Sequence, residues 1–200
     1  MFVPDLSVPE PFACALTIVV AMSAAGAVHA WWMRSRWSVP FRIPLDGGAT
    51  WRGRRLLGDH KTLRGFMAIV PAAGCAFAGL GLAREALPVW LAAGLWDVSA
   101  PQLFLLGCWA GFWFMAGELP NSFLKRRLDV APGAAPVMGG LRYLCLVLDR
   151  FDSTLALLIG LGLLVPMHVL TWVWVLVIGP AVHFAFSGVL YRIGVKARWA

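Results

Sequence analysis

The chain has 200 residues, 60% of them hydrophobic and 14% charged, with a mean hydropathy of +0.76 and a net charge of +7. Soluble domains hold about 45–50% apolar residues, so this composition excludes one and indicates a polytopic membrane protein. At this length a single domain spanning 1–200 is expected.

The first ten residues, MFVPDLSVPE, hold two acids and no Lys or Arg, so no secretory signal peptide is expected there. The first apolar run then reads as a retained helix. Five spans follow, at roughly 11–33, 65–83, 101–119, 143–165 and 169–191, each near the ~20 residues that cross ~30 Å of hydrocarbon. The fold class is therefore an all-α integral membrane bundle of about five helices.

Basic residues orient the bundle. The N-terminal tail and the turn 166–168 carry none and 84–100 carries one, whereas 34–64, 120–142 and 192–200 carry eight, four and three. Lys and Arg mark the cytoplasmic side, which puts the N-terminus outside and the C-terminus in the cytoplasm. Trp31, Trp32, Trp37, Trp90, Trp96, Trp172 and Trp174 fall near span ends and read as interfacial anchors, while Trp109 and Trp113 are mid-span packing residues. Cys14, Cys75, Cys108 and Cys145 all sit in apolar runs without a CxxC pair, and read as small buried residues. In span 2, Gly74, Gly79 and Gly81 would allow close helix packing and Pro71 a kink.

Two loops on the basic side carry polar chemistry. Residues 34–64 combine eight Lys and Arg with Gly47, Gly48, Gly53 and Gly58, so tight turns are expected. Composition alone leaves this loop open between a site and a polybasic segment lying on anionic lipid. The second stretch runs from Glu118 to Asp152. It holds Glu118, Ser122, the cluster Lys125–Arg127 and the acids Asp149 and Asp152, which share a helix face. A helix starting at Tyr143 would carry Asp152 ~14 Å into it. Buried at that depth, each charge costs about 2.5–3.5 kcal/mol. Either the helix begins before the membrane or the carboxylates line a polar cavity, and the second makes an intramembrane ion site the default. Oxygen ligands of this kind suit Mg²⁺. His29, His60, His168 and His183 share no spacing, and His183 reads as a packing residue.

Taken in order, GDHKTLRGF (58–66), GELPNSFLKRRL (117–128), Pro132–Gly133, DRFDS (149–153) and the tail from Pro180 make the chain resemble the CDP-archaeol synthase family, small relatives of phosphatidate cytidylyltransferases. Glu118 stands where the larger enzymes have an Asp. Ser122, Lys125 and Arg126 match their SxxKR, and Asp149, Arg150 and Asp152 their DRxD. Lys61, Thr62 and Gly65 match KTxxG. The His of the larger enzymes' PGHGG is absent, Ala134 following Gly133.

The resemblance implies cytidylyl transfer from CTP to a lipid phosphate in the inner leaflet of the cell membrane, giving a CDP-lipid and pyrophosphate for phospholipid synthesis. It assigns Glu118, Asp149 and Asp152 to Mg²⁺, with Asp149, Asp152 and Lys125 catalytic. Lys61, Thr62, Arg64, Ser122, Arg126 and Asp46 would bind substrate. It favours a homodimer and gives no role to nucleic acid. The acceptor would be an archaeol phosphate, with phosphatidate the alternative. A CDP-alcohol phosphotransferase is excluded, because Asp46–Gly47 is followed by Thr50 and Trp51 where that pattern needs Ala and Arg. A non-enzymatic ion-binding transporter or a scaffold is the rival from another class. Five spans without paired half-repeats argue against the common inverted-repeat transporters.

Overall fold

Pro11 opens the first helix because its missing N–H is no loss at a helix start, and the Glu10 carboxylate accepts the Ala13 N–H at 2.6 Å. The structure is a computed structural model that describes residues 6–130 and 139–192. Pro132–Gly133, the tail beyond 192 and the side chains of Cys145, Arg150 and His183 lie outside the described residues. The helices are α1 (Pro11–Arg34), α2 (Leu63–Leu82), the one-turn α3 (Val89–Ala92), α4 (Ala100–Arg127), α5 (Gly139–Gly162) and α6 (Val169–Arg192).

Among the described residues α1, α2 and α4 are long and apolar enough to cross a membrane. The last two helices add the shorter apolar stretches Phe151–Gly162 and Val169–Val182. The protein is thus a mostly helical, multi-pass membrane protein. Its long helices fall within four residues of the expected spans except at the end of α4, which continues to Arg127 rather than stopping at 119. Its 28 residues span ~42 Å against ~30 Å of hydrocarbon, so two turns project beyond the apolar layer. Pro120 stands inside α4 without ending it.

The bundle has two unlike ends. The end holding α3 and the short connection 163–168 is closed by apolar packing. Trp96 is 1% exposed and donates its indole N–H to the Pro166 carbonyl at 3.0 Å. Around it Cys14, Ile18, Leu103, Leu158 and Leu161 are fully or almost fully buried. Trp96 is therefore a core residue rather than the interfacial anchor expected. Trp31, Trp37 and Trp90 are exposed as anchors should be. Trp109 donates to the Gly160 carbonyl at 2.8 Å and ties α4 to α5, as a mid-span packing residue would.

Close approach of α2 to α4 depends on small residues. A Cβ on Gly107 would lie 2.5 Å from the Ala73 carbonyl oxygen. On the facing helix, one on Gly74 would meet Cys108 Sγ at 2.6 Å, and one on Gly81 would meet Leu103. Gly79 faces open space and takes no part in this packing. Cys14 is buried, but Cys75 is exposed on α2, contrary to the expectation of burial, and both are free thiols.

At the opposite end the loop 35–62 is folded. Ser35 begins a 3-10 turn (Arg36–Phe41), after which β1 (Thr50–Trp51) and β2 (Arg54–Arg55) form an antiparallel hairpin. Its two-residue turn places Arg52 and Gly53 at φ 52° and 75°, the left-handed pair that matches strand twist. Arg127, in the projecting turn of α4, holds the hairpin down. Its guanidinium donates to the carbonyls of Trp51, Arg54 and Arg55 and lies over the rings of Trp51 and Phe123. Arg54 reciprocates by donating to the Arg127 carbonyl and pairing with Asp129. The basic loop is thus a structured cover at the mouth of the bundle.

Candidate active site

Beneath this cover lies a cavity of about 650 Å³ whose walls come from α1, α2, α4, α5, α6 and the loop. Its deeper part is apolar, with Ile18, Met22, Phe66, Ile69, Phe114 and Val175 among the lining residues. Its mouth is polar, and most of the residues singled out from the sequence meet there: Lys61, Thr62, Glu118, Ser122, Lys125, Arg126, Asp149 and Asp152. A greasy chamber with a charged rim matches a ligand that has apolar tails and an anionic head.

Local folding explains how each side chain arrives. Backbone pairing of 43–45 with 61–63 fixes Lys61, through Leu45 N–H to the Lys61 carbonyl (2.8 Å) and Leu63 N–H to the Ile43 carbonyl (2.9 Å). From there Lys61 Nζ reaches the Glu118 carboxylate. α4 carries Glu118 at the end of its apolar run and Asn121, Ser122, Lys125 and Arg126 on the turns beyond it. α5 begins at Gly139, four residues before Tyr143, and its Asp149 and Asp152 line the cavity. Of the two ways of easing the cost of those charges, the carboxylates thus take the second and line a polar cavity.

The acids are bridged by a residue that the sequence reading passed over. Asn121 Nδ2 donates to Asp149 Oδ1 at 2.6 Å and to Asp152 Oδ2 at 2.9 Å. Its own Oδ1 is buried without a hydrogen-bond partner. Lys125 Nζ pairs with Asp149. Ser153, also unassigned from the sequence, donates to Glu118 Oε1 at 3.3 Å and so links α5 to α4. The Ser122 hydroxyl donates to the Glu118 backbone carbonyl at 2.8 Å, leaving its lone pairs to accept. Both missed residues had a signal: Asn121 lies three positions after Glu118 and Ser153 four after Asp149, each on the face of its helix that carries an acid.

Two expected site residues stand elsewhere. Asp46 does not line the cavity, and its side chain is 1% exposed. It accepts from the Arg55 guanidinium and from the N–H groups of Gly48, Leu57 and Gly58. The Arg55 hydrogen bond foremost, then these N–H groups, hold its carboxyl well below the usual range, against the opposing effect of burial. All its acceptor capacity folds the loop, because an acid near four donors in a turn-rich segment is a local brace. Arg64 is likewise absent from the lining and donates to the Met33 carbonyl, tying α2 to the end of α1. His29 and His60 do line the cavity.

A metal must be weighed against this geometry. Among the described residues no three His, Cys, Asp or Glu side chains converge closely enough to hold an ion as they stand. The donors are nonetheless all oxygen: Asp149 and Asp152 are drawn together by the Asn121 Nδ2, the Asn121 Oδ1 is buried without a partner, and Lys125 on Asp149 is an exchangeable cation. That donor set fits a hard divalent cation.

A family model described as CarS-like, CDP-archaeol synthase, matches residues 39–200. The chain belongs to the CDP-archaeol synthase family. It is 40% identical over 161 residues to the CDP-archaeol synthase of Halobacterium salinarum, covering 76% of this chain and 81% of that protein. It is 33% identical to that of Methanosphaerula palustris, covering 76% and 87%, and 30% identical to that of Thermococcus onnurineus, covering 77% and 81%. A solved intramembrane enzyme for archaeal membrane lipids biosynthesis shares the fold, with TM-score 0.60 and 24% identity over 86% of this chain and 91% of that one. Family membership makes this protein a membrane-embedded cytidylyltransferase of lipid biosynthesis rather than a transporter.

Proposed function

We propose that this CDP-archaeol synthase family member transfers CMP from CTP to an archaeol-type lipid phosphate at the cytoplasmic face of the cell membrane. The observation that carries the reading is the cavity itself, where an apolar chamber at membrane depth ends in Lys61, Lys125 and Arg126 facing Glu118, Asp149 and Asp152. The uneven Lys and Arg count supports placing that mouth in the cytoplasm, with five spans, the N-terminus outside and the C-terminus inside.

In the reaction a lipid phosphate oxygen forms a bond to the α-phosphorus of CTP. The bond from that phosphorus to the oxygen bridging the β-phosphate breaks, and pyrophosphate leaves with the electron pair. A phosphate monoester has its second pKa near about 6, so it attacks as a dianion without a general base. The barrier lies in bringing two polyanions together and aligning them. Lys61 and Arg126 neutralise phosphate charge at the mouth, and the Ser122 hydroxyl can turn from the Glu118 carbonyl to donate to a phosphate oxygen. Asn121 holds Asp149 and Asp152 in register, while Lys125 alternates between Asp149 and substrate phosphate. Glu118, Asp149 and Asp152 would hold Mg²⁺, which when bound supplies charge neutralisation and alignment for in-line displacement.

The test is incubation of the purified protein in nanodiscs with Mg²⁺, α-labelled CTP and either unsaturated archaeol phosphate or phosphatidate. Label in the archaeol lipid is the expected result. Label in phosphatidate alone would overturn the acceptor, and label in neither by a protein that binds CTP would overturn the reading.

A further inference from the structure

The eight basic residues of 34–64 fall into two groups once the loop is folded. Arg54, Arg55, Lys61 and Arg64 are bound by protein acceptors, and Arg52 lies over the Trp51 ring. Arg34, Arg36 and Arg42 are exposed, and their side chains make no hydrogen bond or ion pair among the described residues. No acid stands near them in the chain. From Pro11 to Leu45 there is no Asp or Glu, and the next acid, Asp46, has its carboxylate committed to Arg55.

These three arginines frame an exposed apolar segment. Trp37, Val39 and Ile43 are 79%, 60% and 54% exposed, and the exposed Trp31 joins them from the last turn of α1. The segment is nonetheless a formed shelf. Ser38 is fully buried and its hydroxyl donates to the Ser35 carbonyl at 2.7 Å, while the Phe41 ring packs against Trp32 with centroids 5.9 Å apart. The 3-10 turn therefore spends Ser38 and Phe41 on the protein and presents Trp37 and Val39 outward. Its height in a bilayer follows from α1, whose 24 residues cover ~36 Å against ~30 Å of hydrocarbon. The end of α1 and the shelf after it then stand in the headgroup layer. Guanidiniums without acids, set among an indole and branched apolar side chains, complement anionic headgroups above apolar chains.

We propose that Arg34–Ile43 is a docking surface for the anionic lipid headgroups of the leaflet at the basic end of the bundle. Arg34, Arg36 and Arg42 take phosphate oxygens, and Trp37, Val39 and Ile43 enter between the chains beneath. The surface is coupled to the active site through the backbone. The Ile43 carbonyl accepts the Leu63 N–H and the Leu45 N–H donates to the Lys61 carbonyl, so the shelf continues directly into the pairing that carries Lys61. Headgroup binding thereby steadies the cation that meets Glu118. The docking is independent of the reaction, whereas its effect on turnover rests on the role given to Lys61 in cytidylyl transfer.

Hydrogen exchange of the full-length protein tests the docking, in nanodiscs of phosphatidylcholine alone or with about one-third phosphatidylglycerol. Each basic side chain at an anionic surface contributes about a fivefold factor, so exchange across 36–45 should slow by at least about tenfold when phosphatidylglycerol is present. Salt at about 1 M, where screening sets in within ~3 Å, should erase the difference. A triple variant carrying Arg34→Gln, Arg36→Gln and Arg42→Gln should unfold at the wild-type temperature, since it leaves no protein group unpaired, and should exchange alike in both discs. Equal exchange of the wild type in the two discs would overturn the docking surface, as would a difference that persists in the triple variant. The wild-type kcat should rise with phosphatidylglycerol and that of the triple variant should not. A wild-type kcat indifferent to phosphatidylglycerol, in discs where exchange responds, would overturn the coupling to Lys61 and leave the docking intact. Wild-type protein that makes no CDP-lipid in either disc would instead overturn the reading of the reaction, with the exchange result unaffected.

Discussion

Lys61 Nζ donates to the Glu118 carboxylate across 57 positions of chain, joining the loop before α2 to the end of α4's apolar run. Both side chains are less than a third exposed and both line the cavity. On the proposed reading, the pair presets the distance between a cation that would meet phosphate and an acid that would hold Mg²⁺. Lys61→Met and Glu118→Gln should each lower kcat/KM by about a hundredfold, and the double variant by much less than the product, as for groups acting as one unit. Independent, multiplicative losses in steady-state kinetics would show that the pair is not a functional unit.

Asp149→Asn and Asp152→Asn test the carboxylates themselves. Each should reduce turnover by at least about a thousandfold, the scale of losing one electrostatic stabiliser. Both proteins should still insert and unfold near the wild-type temperature, because Asn121 can re-pair with an amide. Isothermal titration of Mg²⁺ into the substrate-free variants checks the same assignment without turnover. Undiminished ion binding would remove these acids from the metal site.

Gly117 lies where α4 meets α5, and a Cβ there would stand 2.4 Å from Ala156 Cβ and 2.7 Å from the Asp152 carbonyl oxygen. Gly117→Ala must push the helices apart beside the acids. A destabilisation of about 1–3 kcal/mol is expected. The loss in kcat should exceed that of Gly79→Ala, where nothing lies within 4 Å. Thermal unfolding and kinetics on the two variants give the comparison.

Arg127→Ala should free the hairpin and cost about 2 kcal/mol through three lost carbonyl bonds and two ring contacts. Arg127→Lys should rescue little, because an ammonium cannot reproduce the planar fork. Limited proteolysis at Arg52–Arg55 reads the effect directly. Equal protection in all three proteins would mean that the hairpin is held by something else.

Acid should loosen the same loop. The Asp46 carboxyl is lowered on folding, so its contribution is complete above the unfolded value of about 4 and fades as pH falls through the lower folded value. Wild-type stability should therefore decline below about pH 4 more steeply than that of Asp46→Asn, which lacks the contribution at every pH. Parallel unfolding temperatures for the two proteins between pH 3 and 7 would contradict this.

Hydropathy located five helices because the apolar runs are long and end in charge, but it lost the end of α4. Beyond Gly117 the residues turn polar while still favouring helix, and the expected boundary at 119 marks where greasiness stops rather than where the backbone hydrogen bonds stop. The acid cluster was legible because charge inside an apolar run has a large cost and so needs a cause. Asn121 and Ser153 were far less so, since neutral polar residues carry no such cost, spacing from an acid is their one signal, and their importance exists only once α4 and α5 are side by side. Asp46 misled for the converse reason. It is an acid in a glycine-rich basic loop, which marks it as a candidate contact, and only the three-dimensional turn shows its oxygens already occupied. The hairpin, two residues per strand, is too short for any periodic signal.

The dry packing around Trp96 at the far end of the bundle bears on the passage of ions. A charged hollow sunk partway into a bundle of apolar helices would offer ions a path along its axis unless the far end were closed. Cys14, Ile18, Leu103, Leu158 and Leu161 form an insulator in series with that hollow. The charged mouth and the dry end are therefore separated by a layer of side chains that offers an ion no polar partner.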